Sequence, residues 1–309
     1  MRDTPTFSLI VPTRRRFASL RRFVDSVVDT VFDKTCIEIV LVVDSDDAGS
    51  CTFDDRRVAC RRSVGVPGRT MGALNQAGYE SSTGRYVMLL NDDVVVRTCG
   101  WDATLARTLD EYPDGVVLGH VNDTLMRDHL CTFPVLSRRF CELAGGLCPT
   151  DYTRYRIDDH IEDVFNRLFA LGHRRAVYFP EVVFDHQNGV VMPEGHREYH
   201  ADPVGLAVDA PIFERHAAAR MRLVRQLLTQ LGDTGAPESS LTLLEQVADP
   251  FVLRVPGRQR VVGRMPTARP GYLRRLRTCW QQRGWRGVAG ALLRRVRSVR
   301  PLVPGTPPG

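Results

Sequence analysis

The sequence predicts an α/β fold with a mostly parallel central sheet flanked by helices, followed by a helical C-terminal extension. Three observations carry that expectation. Short apolar runs recur as strands over 7–11, 37–43 and 86–90, stretches of helical length and periodicity lie between them, and a later helical block leads to an abrupt change of composition at Asp249-Pro250. Strands that alternate with helices build βαβ units, whose crossovers make neighbouring strands parallel and cover both sheet faces. Strands covered on both faces are continuous apolar runs.

The first strand is Phe7-Ser8-Leu9-Ile10-Val11. From Phe17 to Phe32, the residues Leu20, Phe23, Val24, Val27, Val28 and Val31 recur at helical spacing with Arg21, Arg22, Asp25 and Asp29 off that face, which lays a helix (about 17–30) on the sheet. Strand 37–43 follows, then a Cys- and Arg-rich strand near 57–61, a helix over 70–80, strands at 86–90 and 94–96, a helix over 101–111 and a strand at 116–119. Residues 159–171 read as a helix with Asp159 as N-cap, Glu162 as its capping-box partner and Gly172 closing it. Two short strands are expected at 176–179 and 182–185, then helices over 209–231 and 238–248. The predicted organisation is a main domain over 1–215 with halves of about 1–100 and 101–215, a helical extension over 216–249, and an Arg-rich tail over 250–309.

Charge is distributed unevenly. The net charge is +6, yet fourteen arginines and no acid follow Asp249, so the first 249 residues are about eight charges negative. Basic character belongs to the tail, and the main domain shows no nucleic-acid-binding module. The eight cysteines are scattered without a Cys-x-x-Cys pair, which predicts free thiols in a reducing cytoplasm and argues against zinc. No apolar run is long enough to span a membrane, and a cytoplasmic location is expected. In the tail, Leu273, Leu276, Trp280, Val288, Leu292, Val296 and Val299 recur near helical spacing among arginines. Such a helix suits peripheral contact with an anionic membrane on its inner face, or packing on the acidic main domain. Pro301 to Gly309 reads as a frayed end.

Ligands of parallel sheets bind beyond the carboxyl ends of the strands. After strand one stands Pro12-Thr13-Arg14-Arg15-Arg16, a hydroxyl and arginines suited to a diphosphate or nucleoside. After strand two stands the acidic run Asp44-Ser45-Asp46-Asp47. Tyr86-Val87-Met88-Leu89-Leu90 and Val94-Val95-Val96 enclose Asn91-Asp92-Asp93, carboxylates that would be costly between buried strands unless they met a cation. An acidic turn is the alternative for each run, and together they point at one cleft.

Ser8-Leu9-Ile10-Val11-Pro12-Thr13-Arg14, Val42-Val43-Asp44-Ser45-Asp46-Asp47, Gly72-Ala73-Leu74-Asn75-Gln76-Ala77 and Thr83 to Asp93 resemble, in order and spacing, the nucleotide-sugar half of bacterial, inverting family 2 glycosyltransferases. The resemblance implies the GT-A fold, a Rossmann-like sheet with a nucleotide-sugar half near 1–100 and an acceptor half near 101–215. It implies a nucleoside-diphosphate sugar as donor, held by Pro12, Thr13, Arg14, Asp44, Asp46, Arg69, Asn75, Asn91 and Asp92. It implies Mn²⁺ or Mg²⁺ on the diphosphate, with Asp93 as ligand in an Asp-x-Asp-type motif whose first position is here Asn91. More loosely, Ala144-Gly145-Gly146-Leu147, Ile157-Asp158-Asp159 and Arg167-Leu168 resemble the region of the general base, implying Asp159 or Asp158, with Glu162-Asp163 as a second choice. Tyr178 to His186 resembles the strand pair that ends in a metal-binding histidine, implying His186. The acceptor would be a hydroxyl on a glycan, glycolipid or small molecule. The alternatives are a catalytically silent nucleotide- or carbohydrate-binding domain, and a nucleotidyltransferase, which would need a glycine-rich phosphate loop where Pro12-Thr13-Arg14 stands.

Overall fold

The strands assemble into one nine-stranded sheet, of which two, Pro134–Ser137 and Gln259–Val261, were not expected from the sequence, in a computed structural model that describes residues 4–191, 197–198, 202–233, 235–247 and 249–263. In chain order come β1 (Phe7–Thr13), α1 (Phe17–Thr30), β2 (Ile37–Asp44), the single turn α2 (Ala48–Cys51), β3 (Ala59–Gly65), α3 (Met71–Glu80), β4 (Tyr86–Leu89), β5 (Val94–Val96) and α4 (Trp101–Leu109). There follow β6 (Leu118–Asn122), β7 (Pro134–Ser137), α5 (Arg138–Ala144), α6 (Ile157–Ala170), β8 (Ala176–His186) and a two-stranded ribbon of β9 (Val190–Val191) and β10 (Arg197–Glu198). Helices α7 (Pro203–Arg215), α8 (Ala217–Gln230) and α9 (Glu238–Glu245) precede a last strand, β11 (Gln259–Val261).

The strand order is β11-β8-β6-β7-β4-β1-β2-β3, with β5 on β8. Pairing is parallel except where β7 runs against β4 and β6, and β5 against β8. Both faces are buried, because successive residues of a strand point to opposite sides. Phe7, Leu9 and Val11 enter one apolar layer with Leu20, Phe23 and Val27 of α1 and Trp101 of α4. Ile10, with Val42, Val87 and Leu89, enters the other, with Phe140 of α5, Phe165 of α6 and Leu227 of α8. Gly78 lets α3 lie directly on Ile10 and Val42, where a Cβ would collide with both side chains.

Several sequence expectations need correction. The strands expected at 176–179 and 182–185 are one, β8, with Pro180 inside it. Its first half pairs with β6 and β11 and its end with β5, so the proline falls where the strand changes partners and the β6 register shifts. Strand β7 and helix α5 were not anticipated; Ser137 ends the strand and caps the helix, accepting from Phe140 N at 2.9 Å. The helix expected over 209–231 is two helices that meet at His216, and the first starts at Asp202-Pro203 as an N-cap followed by a first-turn proline. Asp159 is not an N-cap, because α6 begins two residues earlier after Arg156, which holds a left-handed φ of 69°.

The boundary expected after Asp249 is not a structural one. Residues up to 263 stay in the same compact unit as the sheet, through the turn Pro250–Leu253 and β11, which pairs in parallel with β8. The helix expected between Tyr272 and Val299, the frayed end 301–309 and Cys279 lie outside the described residues. Among the described residues, seven cysteines are free thiols, and no helix is long and apolar enough to cross a membrane.

Candidate active site

The carboxyl ends of β1, β2 and β4 open on a cleft of about 530 Å³. Its lining includes Pro12, Thr13, Arg14, Asp44, Arg69, Asn75, Asn91, Asp92, Asp93, Asp158 and His186. Two expected residues stand apart from that lining. Asp46 reaches the cleft only through Arg14, and Asp159 faces elsewhere.

On one side, the β1 and β2 ends are laced together. Arg14 donates to Asp44 Oδ2 and Asp46 Oδ2, each at 2.6 Å. Arg69 donates to the Val43 carbonyl at 2.9 Å and stands 3.5 Å from Asp44 Oδ1. Its guanidinium rests on Gly65, where a Cβ would lie 2.5 Å from Cζ. The buried Arg69 Nε has no hydrogen-bond partner, which leaves a donor beside the Asp44 carboxylate. Asn75, buried in the second turn of α3, adds a further polar group.

Asp92 and Asp93 follow β4 and are nearly sealed from solvent. Thr13 Oγ1 donates to Asp92 Oδ2 at 2.7 Å, and Arg16 spans the pair, Nη1 to Asp92 at 2.8 Å and Nη2 to Asp93 at 3.1 Å. His186, at the end of β8, brings Nε2 to 3.3 Å from Asp93 Oδ1 and 3.4 Å from Asn91 Nδ2. Burial pushes the Asp92 carboxyl up, and Thr13 and Arg16 offset this only in part. Burial acts on Asp93 too, but His186 and Arg16 outweigh it and hold that carboxyl below the usual range.

These residues fit a divalent cation. Asp93 Oδ1 is buried and accepts no well-aligned hydrogen bond, and an imidazole nitrogen stands next to it. Oxygen and imidazole donors suit Mn²⁺ or Mg²⁺, which keep waters and substrate oxygens in their remaining positions. Among the described residues no three His, Cys, Asp or Glu side chains converge on one point, so such an ion would depend on a bound diphosphate for further ligands.

The opposite wall comes from α6 and the loop before it. Asp158 lines the cleft, and its Oδ1 accepts from Asp159 N at 2.9 Å. Burial, with Asp159 next, pushes the Asp158 carboxyl up to about 7. Asp159 is occupied by Arg156 at 2.9 Å and by Arg254. Glu162 is 1% exposed, held by Arg254 at 2.7 Å and Arg258 at 3.0 Å. Asp163 takes Arg167 at 2.8 Å and Arg220 at 2.6 Å, tying α6 to α8. Glu162 and Asp163, the second choice for the base, are each paired with two arginines, and neither lines the cleft.

Residues that the sequence reading passed over also shape the site. Asp123, at the carboxyl end of β6, accepts from Leu125, Met126 and Arg127 amides and from Thr132 Oγ1, and so fixes a loop that lines the cleft. The rule about strand ends reaches it once β6 is known to extend to Asn122. Asp209 of α7, fully buried, accepts from the Thr153, Arg154 and Tyr155 amides at 2.9, 2.8 and 2.6 Å and holds the loop before α6. Nothing local marks it. Arg16 stood in a run of three arginines without distinction.

Residues 8–134, somewhat under half of the chain, match the family described as glycosyl transferase family 2. No curated protein matches. Among solved structures, Staphylococcus aureus TarS residues 1–349 is similar in fold, with a TM-score of 0.50, 12% identity, and 81% of each chain covered. A mannosyltransferase from Pyrobaculum calidifontis, solved with GDP-mannose and Mn²⁺, has a TM-score of 0.48 and 17% identity over 82% of this chain and 73% of that one. TarS 1–349 with UDP-GlcNAc gives 0.48 and 12% over 81% and 90%.

Proposed function

We propose that the chain is an inverting glycosyltransferase that moves a sugar from a nucleoside-diphosphate sugar to an acceptor hydroxyl. The observation that carries the proposal is the convergence, on one cleft, of the Asp44-Arg14-Arg69 cluster, the Asp92-Asp93-His186 group and a carboxylate of raised pKa, Asp158. The family match over residues 8–134 supports the donor half of it.

In this reading Asp44, Arg69 and Asn75 hold the nucleoside, and Thr13, Arg16 and Asp92 border the diphosphate. Asp93 and His186 would hold Mn²⁺ or Mg²⁺, which supplies positive charge to the leaving diphosphate when bound. Asp158 is the general base in preference to Asp159, whose oxygens are taken by two arginines. It accepts the acceptor hydroxyl's proton as that oxygen bonds to the anomeric carbon, while the bond from that carbon to the phosphate oxygen breaks and its electron pair leaves with the diphosphate. A carboxyl titrating near neutrality suits this work, being ionised yet basic at the working pH.

A thermal-shift series with UDP, GDP, ADP, CDP and dTDP, each with and without Mn²⁺, tests the donor site. Stabilisation by one nucleotide that grows with Mn²⁺ is expected, and stabilisation by none would count against the whole reading. Product analysis then separates the alternatives: nucleoside diphosphate from a transferase, pyrophosphate from a nucleotidyltransferase, neither from a silent binding domain.

A further inference from the structure

Arg16 is placed unusually for a residue in a surface loop. Its two terminal nitrogens are divided between two carboxylates, Asp92 at 2.8 Å and Asp93 at 3.1 Å, although half of its side chain is exposed (51%). The carboxylates themselves are 3% and 10% exposed at their side chains. Adjacent buried acids of this kind are strongly unfavourable without a cation, so Arg16 stabilises the pair as the fold stands. Thr13 and His186 also answer them, and Arg22 acts on Asp92 from farther off.

The backbone at Arg16 is fixed while its side chain is not. Arg15, next to it, holds a left-handed φ of 54°, uncommon for a residue with a side chain, and its amide donates to Asp47 Oδ2 at 2.5 Å. Arg16 itself occupies the N-cap position of α1, where it makes no side-chain cap. The turn is therefore anchored to β2's acidic end, and only the exposed guanidinium is free to change partners.

We propose that Arg16 is an internal counter-cation, which neutralises Asp92 and Asp93 before donor binding and passes to the donor's diphosphate when a divalent ion takes its place. This rests on the donor-site reading above and adds an order to it. The ion alone competes with a guanidinium already in position. The diphosphate removes that competitor, because its oxygens accept both Arg16 nitrogens in the same bidentate manner as carboxylates do. Metal and nucleotide are consequently bound as a unit, and each raises the other's affinity by the same factor.

The test is calorimetric titration of the full chain with Mn²⁺ alone, and with Mn²⁺ in the presence of UDP or GDP, for the wild type, Arg16→Gln and Arg16→Lys. The wild type should bind Mn²⁺ weakly alone and about 5- to 150-fold more tightly with the nucleotide, the usual range of such coupling. Arg16→Gln should bind Mn²⁺ alone several-fold more tightly than the wild type and lose the part of that coupling that comes from displacing Arg16, keeping the part due to the diphosphate's own ligation of the ion, while Arg16→Lys, which keeps a charge, should lie between. Arg16→Gln binding Mn²⁺ alone no more tightly than the wild type, with Mn²⁺-dependent nucleotide binding intact in the wild type, overturns the role of Arg16 and leaves the donor site standing. A wild type that binds neither nucleotide in any condition overturns both. Thermal unfolding of each variant, recorded without Mn²⁺, separates a misfolded protein from a true change in affinity.

Discussion

Asp158 and Asp159 differ by one position on a helix, and that position decides their chemistry. Asp158→Asn should lower kcat/KM by about 10²- to 10⁴-fold, the usual contribution of a general base, with donor binding little changed. Asp159→Asn should cost far less in rate and more in stability, because it strips a partner from Arg156 and Arg254. The raised pKa sets the sign of the pH dependence: the base works deprotonated, so kcat/KM should climb through about pH 7 in the wild type, and that limb should vanish in Asp158→Asn. A pH–rate series on the two variants checks all three outcomes. At Asp93, removal of the carboxylate by Asp93→Ala should abolish Mn²⁺-dependent stabilisation by nucleotide; a variant that keeps it would remove Asp93 from the metal group. Asp44, Asp92 and Asp93 were legible in sequence because each follows an apolar strand whose direction fixes where its end points. Asp158 against Asp159 was not, since one residue turns a side chain by about 100° around the helix, at 3.6 residues per turn. Of the two arginines that claim Asp159, Arg254 stands 95 residues away.

Elements position these groups through close contacts. Gly72, in the first turn of α3, faces the Pro149 carbonyl so closely that a Cβ cannot fit against that backbone. Gly72→Ala should destabilise the protein by about 1–3 kcal/mol, as overpacking does, and should weaken nucleotide binding too, because α3 carries Asn75 and follows Arg69. Urea unfolding and the thermal-shift series measure the two effects. On the other wall, Asp209→Ala releases the three amides of the 153–155 loop. It should raise KM for the acceptor and leave the metal-dependent nucleotide shift in place. The alternation of strand and helix over the first hundred residues was plain from apolar periodicity alone. The later elements were less so: β7 is short and starts with proline, and β8 hides its continuity behind Pro180, so their pairing is set by neighbours rather than by their own composition.

At the scale of the whole molecule, the composition break after Asp249 was easy to see and easy to misread. Arg254 and Arg258, the first two arginines beyond it, are part of the main unit and neutralise Asp159 and Glu162 of the helix that carries the proposed base. Ending the chain after Asp249 removes both cations. Breaking a buried ion pair of this kind costs about 3–5 kcal/mol, so the shortened protein should melt well below one ended after Gly263. Burial already raises the Glu162 carboxyl, and loss of the arginines raises it further. A folded-state pKa above the unfolded value favours the folded state at low pH, so the deficit should be largest above neutrality and shrink on acidification. Melting curves at pH 5.5 and 8 check both statements. The same arrangement has a consequence in time. Synthesis at about 5–20 residues per second separates the appearance of Asp159 from that of Arg254 by roughly 5–20 s, given the 95 residues between them. Throughout that interval the nascent helix holds Asp158, Asp159 and Glu162 with only Arg156 to answer them, so the wall that carries the proposed base is completed late in translation, after the strands of the opposite wall have already emerged.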